Sequence, residues 1–124
     1  FSGLLGTTTA AHIHAPTAVP LAGTAGVATT TPSFVGFPLG VTSGSYMATL
    51  NTLNSSSYNP SYVTANGGTA ASAEAALFAA IRAGRAYFNI HSTSVGSGEI
   101  RAFLIPTPTP VEPASWSSIK KLLQ

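Results

Sequence analysis

The chain of 124 residues contains no cysteine. Disulfides and thiolate metal sites are excluded, and cysteine usage says nothing about redox compartment. Aspartate is absent too, and the acids are Glu74, Glu99 and Glu112 alone. A Ser-His-Asp relay therefore cannot be assembled. Glu74 starts a helical stretch, Glu112 sits among prolines, and Glu99 by itself cannot do two-carboxylate glycoside chemistry. Charge of both signs is scarce: charged residues make up 6% and the formal net charge is +2. With no basic run or patch, a nucleic-acid partner has no electrostatic basis. No apolar run reaches the roughly 18 residues of a membrane span. No phosphate-cradling glycine loop of recognised spacing is present. Any enzymatic chemistry is thereby pushed towards a bound metal.

The length predicts one domain with a real core. Alanine, threonine, serine, glycine and proline dominate, a composition suited to a charge-poor β-protein surface. Neither an initiator methionine nor a signal-peptide pattern opens the chain, which leads us to expect a processed or trimmed polypeptide.

The most informative stretch is residues 86–104, AYFNIHSTSVGSGEIRAFL. Its two ends alternate with the period of a strand, and the small, glycine-rich middle allows a turn, so a β-hairpin is expected. Tyr87, Asn89 and His91 then share one face. The remaining histidines, His12 and His14, lie in AAHIHA. Two apart on a strand, they leave the same face while Ile13 points away. If the two strands are neighbours, all three imidazoles converge. Three imidazoles suit copper first and zinc second, with a coordination position left open. The alternative is three ordinary strand histidines. Tyr87 and Asn89 are either groups that back up a ligand or cross-strand packing. Glu99 and Arg101 either partner a histidine or form an ion pair, with each other or with Arg85.

Elsewhere, residues 1–5 read as a strand end, 6–9 as a turn, 10–15 as the histidine strand and 17–26 as a loop. A brief strand is expected near 27–31 and a full strand over 41–50, where Tyr46, Ala48 and Leu50 alternate. Asn59-Pro60 starts a short helical turn. Residues 72–83 predict the main helix, with Ser72 as cap, Glu74 in the first turn, Gly84 as stop and Leu77, Phe78 and Ile81 as its apolar stripe. Residues 106–115 form a proline-rich linker. Residues 116–124 form a tail in which Trp116, Ile119, Leu122 and Leu123 share a side.

AHIHA at 11–15, GRAYFNIHS at 84–92 and GEIR at 98–101, in this order, resemble the CHRD domain, a chordin-type module of bacterial secreted proteins. The resemblance covers residues 1–104. It implies an all-β fold: an antiparallel β-sandwich or barrel, Ig-like or similar to copper/zinc superoxide dismutase, with one short helix around 72–83. It also implies a secreted or cell-surface location in a bacterium. Such domains usually carry one or two further strands before the histidine strand; here either the fold is incomplete, or those strands have been removed, or another subunit supplies them. VEPASW at 111–116 resembles a Pro-Glu-Pro sorting signal, although 117–124 is polar and basic.

Two functional expectations follow. The first is a copper site of His12, His14 and His91, with peroxide or superoxide chemistry as its possible use and turnover left open. The second is a structural subunit of an extracellular filament, matrix or homo-oligomer, completed by strand exchange and by the Trp116–Leu123 stripe.

Overall fold

The computed structural model describes residues 1–107. Most of the linker, the sorting-signal remnant and the tail residues Trp116, Ile119, Leu122 and Leu123 lie outside the described residues.

Three strands form one antiparallel sheet in the order β1-β2-β3. β1 is Thr8–His14, β2 is Tyr87–Ser92 and β3 is Ile100–Phe103. The β-branched and aromatic residues of these segments suit a pleated surface. In the register, His12 faces Asn89 and His14 faces Tyr87, while Asn89 faces Arg101 and Tyr87 faces Phe103. A shift between Thr8 and Ala10 sets Ala10 opposite His91. β1 and β2 are 73 residues or more apart in sequence, yet they pair directly. The hairpin and the antiparallel β class agree with the sequence.

Two helices complete the described fold: α1, Pro60–Ala65, and α2, Ala70–Arg82, preceded by a single 3₁₀ turn at Ser55–Ser57. Proline opens α1 because its missing N–H is not needed there. α2 starts two residues earlier than expected. Thr69 is its cap, and Ser72 completes a reciprocal capping box rather than capping alone. Glu74 consequently falls beyond the first turn, where it accepts a hydrogen bond from Thr52 Oγ1. Gly84, at φ +66°, ends α2 as expected. Its N–H bonds Ile81 O and the next N–H, of Arg85, bonds Ala80 O, the paired closure that favours glycine in the left-handed region. The buried stripe is Ala73, Leu77 and Ala80, whereas Phe78 is 38% exposed. Small alanines let α2 approach Tyr58 and Tyr62 closely, so the packing uses them instead of the larger Phe78.

A second core lies on the apolar sheet face, where Ala11 and Ile90 meet Leu4, Phe34 and Phe37. Phe34 stacks on Phe88 at 5.6 Å between centroids. The strand expected over 41–50 is not formed. Gly40, at φ +74°, breaks the extended path, and this segment makes only scattered bonds to residues 1–8. Its alternation is not backed by burial, since Ala48 and Leu50 are exposed beside a half-buried Tyr46. The strand expected at 27–31 is reduced to single bridges, His14 to Val27 and Thr29 to Tyr58. Residues 1–5 are likewise irregular, and β1 begins inside the expected turn. Among the described residues, no helix is long and apolar enough to cross a membrane.

Candidate metal centre

Alternation puts His12 and His14 on one face of β1, and the β1–β2 register brings Asn89, Tyr87 and His91 beside them. Ala10, the residue opposite His91, is too small to keep the diagonal His12 ring away. The His12 and His91 ring centroids are 4.8 Å apart, and His14 lies 5.5 Å from each. One ring nitrogen of each histidine lies within 4.8 Å of those of the other two.

Backbone carbonyls decide which nitrogens are free. His12 Nε2 donates to Pro32 O at 2.6 Å, His14 Nδ1 to Ala25 O at 2.8 Å and His91 Nδ1 to Gly96 O at 2.8 Å. A carbonyl only accepts, so each of these nitrogens carries the proton. The lone pairs of His12 Nδ1, His14 Nε2 and His91 Nε2 are thereby left uncommitted to a carbonyl. His14 Nε2 and His91 Nε2 are 3.4 Å apart. Two nitrogens on one metal at about 2.0–2.1 Å in tetrahedral array have roughly this separation. His12 Nδ1 is buried with no hydrogen-bond partner. An unpartnered buried polar atom costs ~1–3 kcal/mol, and in a native fold it asks for an explanation. A metal ion at this point provides one.

Electrostatics agree. Burial, the largest cause, holds His12 and His14 below the ordinary histidine pKa. Their carbonyl bonds oppose this, and the neighbouring imidazole charge of His91 lowers both further. Both rings are therefore neutral near pH 7, the form that binds a metal.

The structure brings Tyr87 and Asn89 to the cluster. Tyr87 stacks on His14 at 5.0 Å and 7°. Ala25 fastens both rings: its carbonyl accepts the hydrogen bond from His14 Nδ1–H, and its N–H donates to Tyr87 Oη at 3.3 Å. Asn89 Nδ2 is 3.3 Å from His91 Nε2 and 3.2 Å from Ser97 O. Gly98, at φ +119°, passes so close to Asn89 that a Cβ there would collide with the amide.

Glu99 and Arg101 are placed differently from the expected ion pair. The Glu99 carboxylate accepts from the Leu5 and Gly6 N–H groups and from Ser92 Oγ. These bonds, that of Ser92 first, hold its carboxyl below the usual range. Glu99 thus ties the N-terminal segment to the turn that supplies Gly96 O. Arg101 lies 4.8 Å from the Tyr87 ring centre and donates to Gly23 O at 2.6 Å. Arg85 donates to Thr17 O instead of pairing with an acid. The carbonyls of Ala25, Pro32 and Gly96 were not legible in the sequence, because a main-chain acceptor has no side-chain signature. The glycines flanking Ser97 were the one available signal of a turn closing over the site.

A cavity of about 250 Å³ adjoins the cluster, lined by Thr24, Tyr87, Asn89, Ser97, Gly98 and Arg101. The three histidines line neither this cavity nor a larger one, about 550 Å³ beside Thr30, Ser55, Tyr58 and Thr64, but Tyr87 and Asn89 of the smaller one touch the cluster.

Fold and site together define an antiparallel β module with a buried three-histidine cluster able to hold a metal. The family model of the CHRD domain matches residues 1–104, and the chain belongs to that family. No curated protein and no solved structure matched it.

Proposed function

We propose that this CHRD domain binds copper through His12, His14 and His91, with zinc as the second choice. One observation carries the reading: the three imidazoles bring one ring nitrogen each within 4.8 Å of one another, and His12 Nδ1 is buried with no partner among the described residues. The protein's part is to fix each ring by a backbone carbonyl, hold His12 and His14 neutral and leave a coordination position open. Copper would supply one-electron chemistry there, towards peroxide or superoxide. Tyr87 steadies the His14 ring by stacking, and Ala25 sets its tautomer. A secreted or surface location in a bacterium belongs to the same proposal, supported by the family and the charge-poor composition.

Metal content and copper(II) electron paramagnetic resonance test it, run beside a variant with all three histidines changed to alanine. One copper per chain with nitrogen hyperfine structure, absent from the variant, is the expected result. No stoichiometric metal in the wild type after copper addition would sink the proposal.

Assembly with further copies is a second reading. Among the described residues β3 pairs with β2 alone, and its Ile100, Arg101 and Ala102 are exposed. Such an edge can accept a strand. A monodisperse monomer across a wide concentration range in light scattering would refute this second reading.

A further inference from the structure

Asn89 holds a position that the three-histidine reading does not use. Ser97 O can only accept, so the atom facing it is the amide nitrogen, and the orientation of the Asn89 amide is fixed. The second N–H of that nitrogen reaches His91 Nε2 at 3.3 Å. This is the lone pair a metal takes. Metal binding therefore strips a buried amide N–H of its acceptor, and the orphaned donor is left beside the centre. Asn89 cannot turn its oxygen towards the metal without setting that nitrogen free and opposing two carbonyl oxygens at Ser97. It offers a donor, not a ligand.

Asn89 is also part of the wall of the 250 Å³ cavity, and among the described residues Arg101 is the one charged residue in that wall. Arg101 sits opposite Asn89 on β3, one strand further from the histidines. It spends one donor nitrogen on Gly23 O, and a guanidinium has five N–H groups. Among the described residues no carboxylate lines the cavity. A donor aimed at the centre and a cation lining the same adjoining cavity make a place for negative charge.

We infer that Asn89 and Arg101 form a subsite for a small inorganic anion at the three-histidine centre. The Asn89 amide hydrogen-bonds the anion and Arg101 supplies the charge that draws it in. The inference rests on the metal reading above.

Azide is the anionic probe and imidazole the neutral one, each titrated into the copper-loaded chain and followed by absorption and copper paramagnetic resonance. Asn89→Leu should weaken azide by about tenfold or more, as expected for loss of a hydrogen bond to a charged group. Arg101→Gln should weaken it by about two- to fivefold at low salt, a difference that disappears near 1 M salt. Imidazole affinity should change less than twofold in Arg101→Gln. Azide affinity within twofold of wild type in both variants, at full copper, overturns the inference. A wild type that holds copper but does not respond to azide overturns it as well and leaves the metal reading standing. A wild type that takes up no copper ends both. If Asn89→Leu fails to give the native circular dichroism spectrum, the salt-dependent azide difference in Arg101→Gln decides alone.

Discussion

On one face of the sheet, Ala11, Ile13, Phe88 and Ile90 pack against Phe34, Phe37 and Tyr46. On the other, His12, His14, Tyr87, Asn89 and His91 are enclosed by loops that present carbonyls. An apolar side chain needs only neighbours, so the first face tolerates an irregular covering such as residues 31–46. A buried polar group needs a partner of the right kind, so the second face demands specific main-chain positions. The contrast appears in what fixes each face: the packed rings of Phe34, Phe37, Tyr46 and Phe88 fill the first, while Ala25 O, Gly96 O and, from the start of the same 31–46 segment, Pro32 O hold the second. It also isolates His12 Nδ1, the one imidazole nitrogen of the enclosed face left buried and unpartnered.

If this division is right, damage to the two faces should separate. Phe34→Ala removes a buried ring that stacks on Phe88 and Tyr46, and should cost about 3–5 kcal/mol of folding free energy in urea unfolding. Copper bound per folded molecule should stay unchanged. A loss of copper from the folded fraction would mean that the faces are coupled.

His12→Ala tests the other side. It should weaken copper by more than the ~10–100-fold typical of outer partners, read by competition with a chelator. The native circular dichroism spectrum should persist. Copper affinity equal to wild type would remove His12 from the centre, and with it the reason for its unpartnered nitrogen.

The smallest effect is a pH slope. The folded state holds the pKa of His12 and His14 below the ordinary value of 6.5, burial being the main cause. The unfolded chain therefore binds protons that the native apoprotein resists. The stabilising contribution is fully present above pH 6.5 and is lost as pH falls towards the lowered native values. The urea midpoint of the apoprotein should be flat from pH 8 to about pH 7 and drop below it. A variant lacking both histidines should show a shallower drop. The same slope in both would place its origin elsewhere.

Much of the site was legible because alternation is a local property. His12 and His14 are two apart, and Tyr87, Asn89 and His91 follow the same period, so each set had to share a face of its strand. The helix near 72–83 and the 86–104 hairpin followed from composition and turn residues in the same way. The strand over 41–50 misled because alternation says nothing about whether a partner edge is available. There, residues 40–44 bond to Phe1, Leu4 and Thr8, of which Thr8 alone belongs to a strand, so no ladder forms. The helix stripe shifted because contact with Tyr58 and Tyr62 favours small residues, a fact of packing rather than of period.

The sequence alone determined that this chain uses neither thiolates nor a Ser-His-Asp relay, that its class is antiparallel β, and that three histidines lie on two strands within the CHRD motifs. Only the tertiary structure decided that those strands are neighbours and which nitrogen of each ring is free. It alone also turned Glu99 into a clamp and Arg101 onto Tyr87 instead of pairing them. Residue type and spacing are written in the chain. The acceptors that set each tautomer are backbone carbonyls whose positions depend on loop paths 5 to 20 residues from the histidines they fix.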